Sequence, residues 1–442
     1  MKPFAPAAFA FAGLTLLGSS AQSQDWPQFR GTNRDAQSKE SGLLQQWPEG
    51  GPKLAWEMNG LGTGYSSVAI QNGRVFTMGD IGPDQFVIAL SLDKKAIQWK
   101  TRIGPAWTSD RYAGPRSTPT ADGDLVYAIG TEGDLMALEA ATGKVRWKRS
   151  LPADFGGKVM SSWKWSESPL VDGDRLVVTP GSSNALLVSL GKATGKEIWR
   201  TKSGELGSAG LDGAGYSSVV ISNGAGVKQY VQLMGRGVVG VRASDGVFLW
   251  SYNKVANDTA NISTPIVSGD YVFAATGYQT GSGLVKLAKA GDGVSATEQY
   301  FLDGKTFQNH HGGVVLVGGH IYGGQGHRMG LPTCIEFTTG KKIWGGDMRN
   351  AGKGSAAIAY ADSNLIFRYE NGIVILIEAT PTGYKEKGQF EIPNGSPLSW
   401  PYPAIAAGKL FLRDQDRLLV YDIKSAGTPA KTTDETAETA RR

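Results

Sequence analysis

A tryptophan recurs along this chain behind a Thr-Gly-Lys turn, at a period that few architectures accept. ATGKVRW ends at Trp147, ATGKEIW at Trp199 and TTGKKIW at Trp344, while the related turns SLDKKAIQW and ASDGVFLW end at Trp99 and Trp250. Counted from Trp56, the early spacings are 43, 48, 52 and 51 residues. Trp250 and Trp344 lie 94 residues apart with Tyr300 near the midpoint, and Phe390 follows Trp344 by 46. A repeat of roughly 40 to 50 residues is the length of a propeller blade.

The second unit shows the internal grammar best. From Arg116 to Trp147 it reads RSTPTADGDLVYAIGTEGDLMALEAATGKVRW. Short apolar runs alternate with Gly-Asp and Thr-Gly turns, the pattern of four antiparallel strands. The same pattern starts near Ser66, Glu167, Ser217, Ser263, Gly312, Ser355 and Pro401, which makes eight units. The last unit stops near Lys424 with three strands, and KLAWEM around Trp56 is a strand with no blade before it. Pairing the two closes the ring and leaves no orphan edge. An open solenoid would need polar caps at both ends, and none is seen. The expected fold is all-β, an eight-bladed β-propeller of four-stranded antiparallel blades. The 61 glycines among 442 residues, about twice the usual share of roughly 7%, fit so many tight turns.

The ends read differently. Lys2, an apolar stretch from about Phe4 to Leu17, and the small residues Ser19-Ser20-Ala21 have the order of a signal peptide. The stretch is too short to span a membrane. No cysteine follows it, so a lipoprotein anchor is not expected, and the mature chain is expected to be soluble and periplasmic or secreted. The polar tail AGTPAKTTDETAETARR after Ser425 is expected to be disordered. The expected division is therefore 1–21 signal peptide, 22–52 N-terminal strap, 53–424 propeller and 425–442 tail. Lys and Arg are scattered and the net charge is only +5, which reads as a solvated surface and excludes a nucleic-acid binder. Cys334 is the only cysteine, so no internal disulfide or CxxCH haem site is possible. Set in the apolar run TCIEF, it is expected to be a buried, inert thiol. The chain carries no GxSxG elbow, no HExxH pair and no dinucleotide fingerprint.

The ATGKxxW endings and STPxxxGDxVY openings resemble the PQQ-type repeat of quinoprotein alcohol dehydrogenases and of the propeller in outer-membrane assembly lipoproteins. The resemblance runs from roughly Lys53 to Lys424. The segment DWPQFRGTNRD, Asp25 to Asp35, also resembles the start of secreted PQQ-like propellers of unassigned activity. Read by itself, it is a strap packed across the propeller.

In such a blade the start of the first strand and the end of the second share a face, around an axial funnel. Aligning the units puts Tyr65, Arg116, Ser166, Tyr216, Ile262, His311, Gly354 and Trp400 at the first-strand starts. Arg236, His327, Arg328, Arg368 and Arg413 stand at second-strand ends, and longer loops add Arg111, Tyr112, Trp163, Lys164, Trp165 and Asn261. An aromatic, rather cationic funnel of this kind suits a planar or anionic ligand, or a stacked sugar. His310, His311 and His327 share that rim, with His320 at the opposite turn, and three imidazoles there could hold Zn²⁺ or Cu²⁺. Adjacent His310 and His311 point opposite ways in an extended backbone, which argues against both binding one ion.

Two functions follow. The resemblance to the dehydrogenases implies PQQ stacked in the funnel, a Ca²⁺ held by Glu and Asn, and an Asp as base. Glu167 and Asn261 stand in loops of the appropriate units as metal ligands. The next unit offers His310-His311 where the acid is expected, which leaves Asp258 as a substitute base for oxidising an alcohol or sugar. The cysteine pair and cytochrome domain of many such enzymes are missing. The other reading is a non-catalytic exported scaffold, a monomer that binds a small molecule, a glycan or an envelope protein through its funnel face. The missing catalytic parts favour this second reading.

Overall fold

The computed structural model describes residues 25–109 and 112–425. The expected signal peptide, the expected disordered tail beyond Ser425 and Arg111 lie outside the described residues.

The strands form eight four-stranded antiparallel sheets, each a blade. Blade one runs Ala69–Gln71, Arg74–Ile81, Asp84–Ser91 and Ala96–Pro105. Blades two to seven repeat this order, and within each the strands pair in sequence from the axis outward. Blade eight holds Ala404–Ala406, Lys409–Asp414 and Arg417–Asp422, and its fourth strand is Lys53–Met58 from the other end of the chain. The ring is closed as the repeat count requires. Among the described residues no helix is long and apolar enough to cross a membrane.

The recurring tryptophans lock one blade to the next. Trp99 Nε1 donates to the Ala140 carbonyl at 3.1 Å, Trp147 to Lys192 at 2.9 Å, Trp199 to Ala243 at 3.2 Å and Trp344 to Thr380 at 2.8 Å. Tyr300 takes the same role through its hydroxyl, 2.9 Å from the Phe337 carbonyl. Each acceptor belongs to the following blade. In blades two, three and four the glycine of the turn before the last strand lies under that indole. A Cβ on Gly195 would stand 2.7 Å from the Trp147 ring, and one on Gly246 2.5 Å from Trp199. Both glycines also have φ near +70°, where only Gly is unstrained. So the ATGKxxW motif couples two neighbours: its glycine seats the preceding blade's tryptophan, and its own tryptophan covers the next blade's glycine. Trp250 departs from the rule and donates to Gln229 Oε1 within its own blade.

Apolar clusters fill the seams between blades. Val177 and Leu187 of blade three, for example, pack on Val219, Tyr230 and Val239 of blade four. Cys334 is buried in one of these seams, and burial pushes its thiol up to about 11, so it stays protonated and unreactive.

The segment 25–47 crosses the axis at the end of the channel opposite the funnel. Trp26 pairs with Ile70 of blade one, Ser38 N donates to the Tyr360 carbonyl of blade seven, and Leu43 pairs with Lys424 beside blade eight. Two fully buried arginines anchor it between. Arg30 Nη2 donates to the Val314 carbonyl of blade six at 2.5 Å. Arg34 donates to the carbonyls of Ser168 (2.9 Å), Pro169 and Val219 (3.2 Å), spanning blades three and four. Buried carbonyls at the crowded axis have no strand partner and need such donors.

Candidate functional site

On the other side of this plug lies an axial cavity of about 270 Å³. Its floor is Phe29 from the N-terminal segment and Tyr402 of blade eight, whose rings meet edge to face at 4.9 Å. The structure brings Tyr65, Arg116, Ser166, Tyr216, Ile262, His311 and Trp400 to its wall, each from the few residues leading into an innermost strand. Tyr112, Trp163, His310, His327 and Arg328 join them. Gly354 does not reach it.

The wall is an aromatic arc. Tyr65 stacks on Trp400 at 4.5 Å, Tyr112 tilts against Trp400 at 5.3 Å, and His311 meets Trp400 edge on at 4.7 Å. Opposite them Trp163 and Tyr216 pack at 5.9 Å. Tyr216 is held through Ser161, whose Oγ lies 2.7 Å from its hydroxyl and donates to the Thr259 carbonyl. Arg116 lies over the rings of Trp107 and Tyr65 at 4.7 and 5.2 Å. Its guanidinium donates to the carbonyls of Gly114 and Tyr112 rather than to a carboxylate. Burial pushes its pKa down to about 10, which still leaves it charged at neutral pH. A permanent cation on an aromatic wall, without a carboxylate bonded to it, is an anion-binding arrangement.

The histidines depart from the extended geometry expected of them. The chain bends through His310–Gly312, so the adjacent rings turn to one side and stack, 3.5 Å apart with an interplanar angle of 25°. His310 Nδ1 lies 2.9 Å from Ser355 Oγ and its Nε2 3.2 Å from the Tyr278 hydroxyl. Burial, then the neighbouring His311, His327 and Arg328, hold His310 far below the usual imidazole range. Burial and then Arg116 push His311 down to about 3. Both rings are neutral at physiological pH, the state in which stacking carries no charge repulsion. His320 lies apart at the opposite turn, exposed, with Nδ1 on the Gly318 carbonyl.

Other candidates lie outside the cavity. The Glu167 carboxylate sits in the wall of blade three, accepting from Thr179 N at 2.8 Å and Thr179 Oγ1 at 2.9 Å. The Asn261 amide donates to the Met234 and Gly235 carbonyls, and its oxygen accepts from Asn257 N. Asp258 is exposed in a loop. Trp165 packs into the seam between blades two and three, two residues from the tryptophan that does line the funnel. Lys164 pairs with Glu132, and Arg236 with Asp212. Arg368 and Arg413 turn away from the funnel into the seams around blade eight. There Arg368 donates to the Pro401 carbonyl and Arg413 to those of Leu61 and Gly62. Glu167 and Asn261 were the expected Ca²⁺ ligands, but their oxygens are committed to backbone and hydroxyl donors. The donor set does not fit a Ca²⁺ in the funnel, which needs six to eight free oxygens.

Glu167 has another consequence. Burial pushes its carboxyl up to about 8, against the hydrogen bonds from Thr179 and the nearby Arg34. A raised carboxyl favours folding when protonated, so its contribution is full below the usual glutamate range and lost as pH rises to about 8. The unfolding midpoint is expected to fall between pH 5 and 8.5, and Glu167→Gln, which mimics the neutral acid, is expected to flatten that slope. Urea melts across this range check it. An equal slope in the variant would remove Glu167 as its source.

Comparison with known proteins agrees with this architecture. A family model described as outer membrane protein assembly factor BamB matches residues 83–346, more than half of the chain. BamB of Salmonella typhimurium is 28% identical over 141 residues, which cover 31% of this chain and 31% of that protein. The match therefore spans about a third of that relative's length. Among solved structures, BamB from Moraxella catarrhalis superposes with a TM-score of 0.58 at 12% identity, over 84% of this chain and 99% of that one. The quinohemoprotein alcohol dehydrogenase of Comamonas testosteroni superposes with a TM-score of 0.61 at 12% identity, over 95% and 82%. At such identities these two likenesses concern the fold alone.

Proposed function

This chain belongs to the propeller family described as outer membrane protein assembly factor BamB, and on that footing we propose that it is a non-catalytic exported scaffold whose funnel holds a planar, anionic small molecule. The observation that carries the reading is Arg116, a cation bonded only to carbonyls and set between Tyr65 and Trp107 in the cavity wall. Tyr65, Tyr112 and Trp400 supply a face for a flat ring, and Arg116 supplies the charge-assisted donors for a carboxylate on it. Phe29 and Tyr402 close the floor, so the ligand enters from one side.

A dehydrogenase would need a metal to polarise its quinone and a base to take the substrate proton. Glu167 and Asn261 do not offer the first, and Asp258 is outside the cavity. The scaffold reading requires neither.

Calorimetric titration with PQQ, a planar tricarboxylate, tests this with and without Ca²⁺. The expected result is saturable binding near one per chain, independent of Ca²⁺, and weakened roughly tenfold or more in Arg116→Ala, since a charged hydrogen bond contributes about 1.5–3 kcal/mol. Absence of binding by PQQ and by simpler aromatic carboxylates at tens of micromolar would sink the reading. Binding that needs Ca²⁺ and is lost in Glu167→Ala would favour the dehydrogenase instead.

One observation favours an envelope-protein partner as a second reading. Val145, Ile198 and Val247 are exposed on or beside the outermost strands of three consecutive blades, an apolar series on the outer rim that a protein surface could cover. The family's description as an assembly factor agrees with it.

A further inference from the structure

We propose that His310, His311 and Glu370 form a binding site for a divalent transition-metal ion of the Zn²⁺ or Cu²⁺ class, in the wall of the funnel where blade six meets blade seven. One donor atom from each residue lies within 4.8 Å of the other two. Around a tetrahedral Zn²⁺ with ligands at about 2.0–2.2 Å, donor atoms stand roughly 3.4 Å apart. The three groups therefore need to close in by at most about 1.4 Å.

Unmet bonding at the centre of this cluster points to a ligand. His311 Nδ1 faces Glu370 Oε1 at 3.9 Å, too far for a hydrogen bond. Neither atom has a hydrogen-bond partner among the described residues, though both are buried. The Glu370 side chain is only 6% exposed. A buried carboxylate oxygen left without donors is costly. An ion seated in the gap would meet both atoms at once.

The surroundings suit ligation. His310 has ring partners on both sides, Ser355 and Tyr278. One nitrogen can bind the ion while the other keeps its partner, which fixes the ring. His310 and His311 are part of the cavity wall, so the remaining coordination positions would open to the funnel. Arg116 and Arg328 on the same wall oppose a bare cation, which sets the expected affinity in the micromolar range rather than tighter. The site is independent of the aromatic-anion reading, because Zn²⁺ uptake needs no other ligand.

Equilibrium dialysis of the tag-free mature chain against Zn²⁺, with metal counted by mass spectrometry, tests the proposal. Uptake near one ion per chain is expected, weakened roughly tenfold or more in His311→Gln and in Glu370→Gln, and unchanged in His320→Gln. Uptake that survives both site variants, or no uptake by the wild type, would overturn it. If the variants fail to fold, Co²⁺ added to the wild type decides. Intense visible bands of a four- or five-coordinate ion support the site, and the weak spectrum of hydrated Co²⁺ refutes it.

Discussion

A chain that starts at Asn59 is expected to lose the single cooperative unfolding transition of the full protein and to associate. The strand Lys53–Met58 contributes five register pairs to blade eight, from Lys53 opposite Asp422 to Met58 opposite Leu418. Without it, Arg417–Asp422 presents a row of unpaired amides and carbonyls, a template for another chain. The same truncation removes Trp26, Arg30 and Arg34, and with them the donors that reach the axial carbonyls. The expected loss exceeds about 5 kcal/mol, most of the net stability of an ordinary domain. Urea unfolding followed by circular dichroism, with size-exclusion chromatography, measures both effects. Moving residues 53–58 to follow Ser425 in a permuted chain is expected to restore the eighth blade and part of the stability. A truncated chain that stays monomeric and melts at the original midpoint would refute the closure argument.

Arg34→Met is expected to cost roughly 3–5 kcal/mol, because buried carbonyls of two blades lose a charged donor at once. The side chain is 2% exposed, and its loss leaves the carbonyls of Ser168, Pro169 and Val219 without that donor. Each buried acceptor left unsatisfied costs about 1–3 kcal/mol. Methionine fills much of the volume, so the loss reports on polar satisfaction more than on packing. Arg34→Lys keeps the charge but not the planar fork, and is expected to recover only part of the stability. The urea midpoint at a fixed m-value is the measurement. A change under about 1 kcal/mol in Arg34→Met would mean that water replaces the guanidinium at the axis.

The fold was legible because the repeat states the same structural fact several times. Each TGK glycine sits beneath a neighbour's aromatic ring, Trp99, Trp147 or Tyr300, and that contact keeps the pattern visible in the sequence. The funnel positions Tyr65, Arg116, Tyr216, His311 and Trp400 followed from counting, since innermost strands all begin at the same height. Second-strand ends followed only in part, since His327 and Arg328 reach the cavity while Arg236, Arg368 and Arg413 do not. Arg368 lies within its strand and points into a seam, whereas Glu370, two residues on, stands past the strand end beside His311. A residue's face in a strand reverses with a single step of register, and turn residues obey no such period. Tyr278 escaped for the same reason. Trp163 and Trp165 are indistinguishable by type, and only the packing of Trp165 into the seam between blades two and three separates them. The bend at His310–Gly312 has no marker beyond its glycines, so the stacking of the two imidazoles was not readable.

The segment that crosses the axis also sets an order in time. Chains are made from the amino terminus, so Trp26, Arg30 and Arg34 appear first and their partners in blades one to eight only later. The first strand to leave the ribosome, Lys53–Met58, waits for Arg417–Asp422, nearly the last. Every blade can pair internally as it emerges, yet the ring stays unlatched until about residue 424 is available. Such distant pairing makes the final step slow. During that interval the nascent molecule carries an open strand edge and lacks the arginine contacts that tie its hub together, so it is most exposed to association before the ring closes.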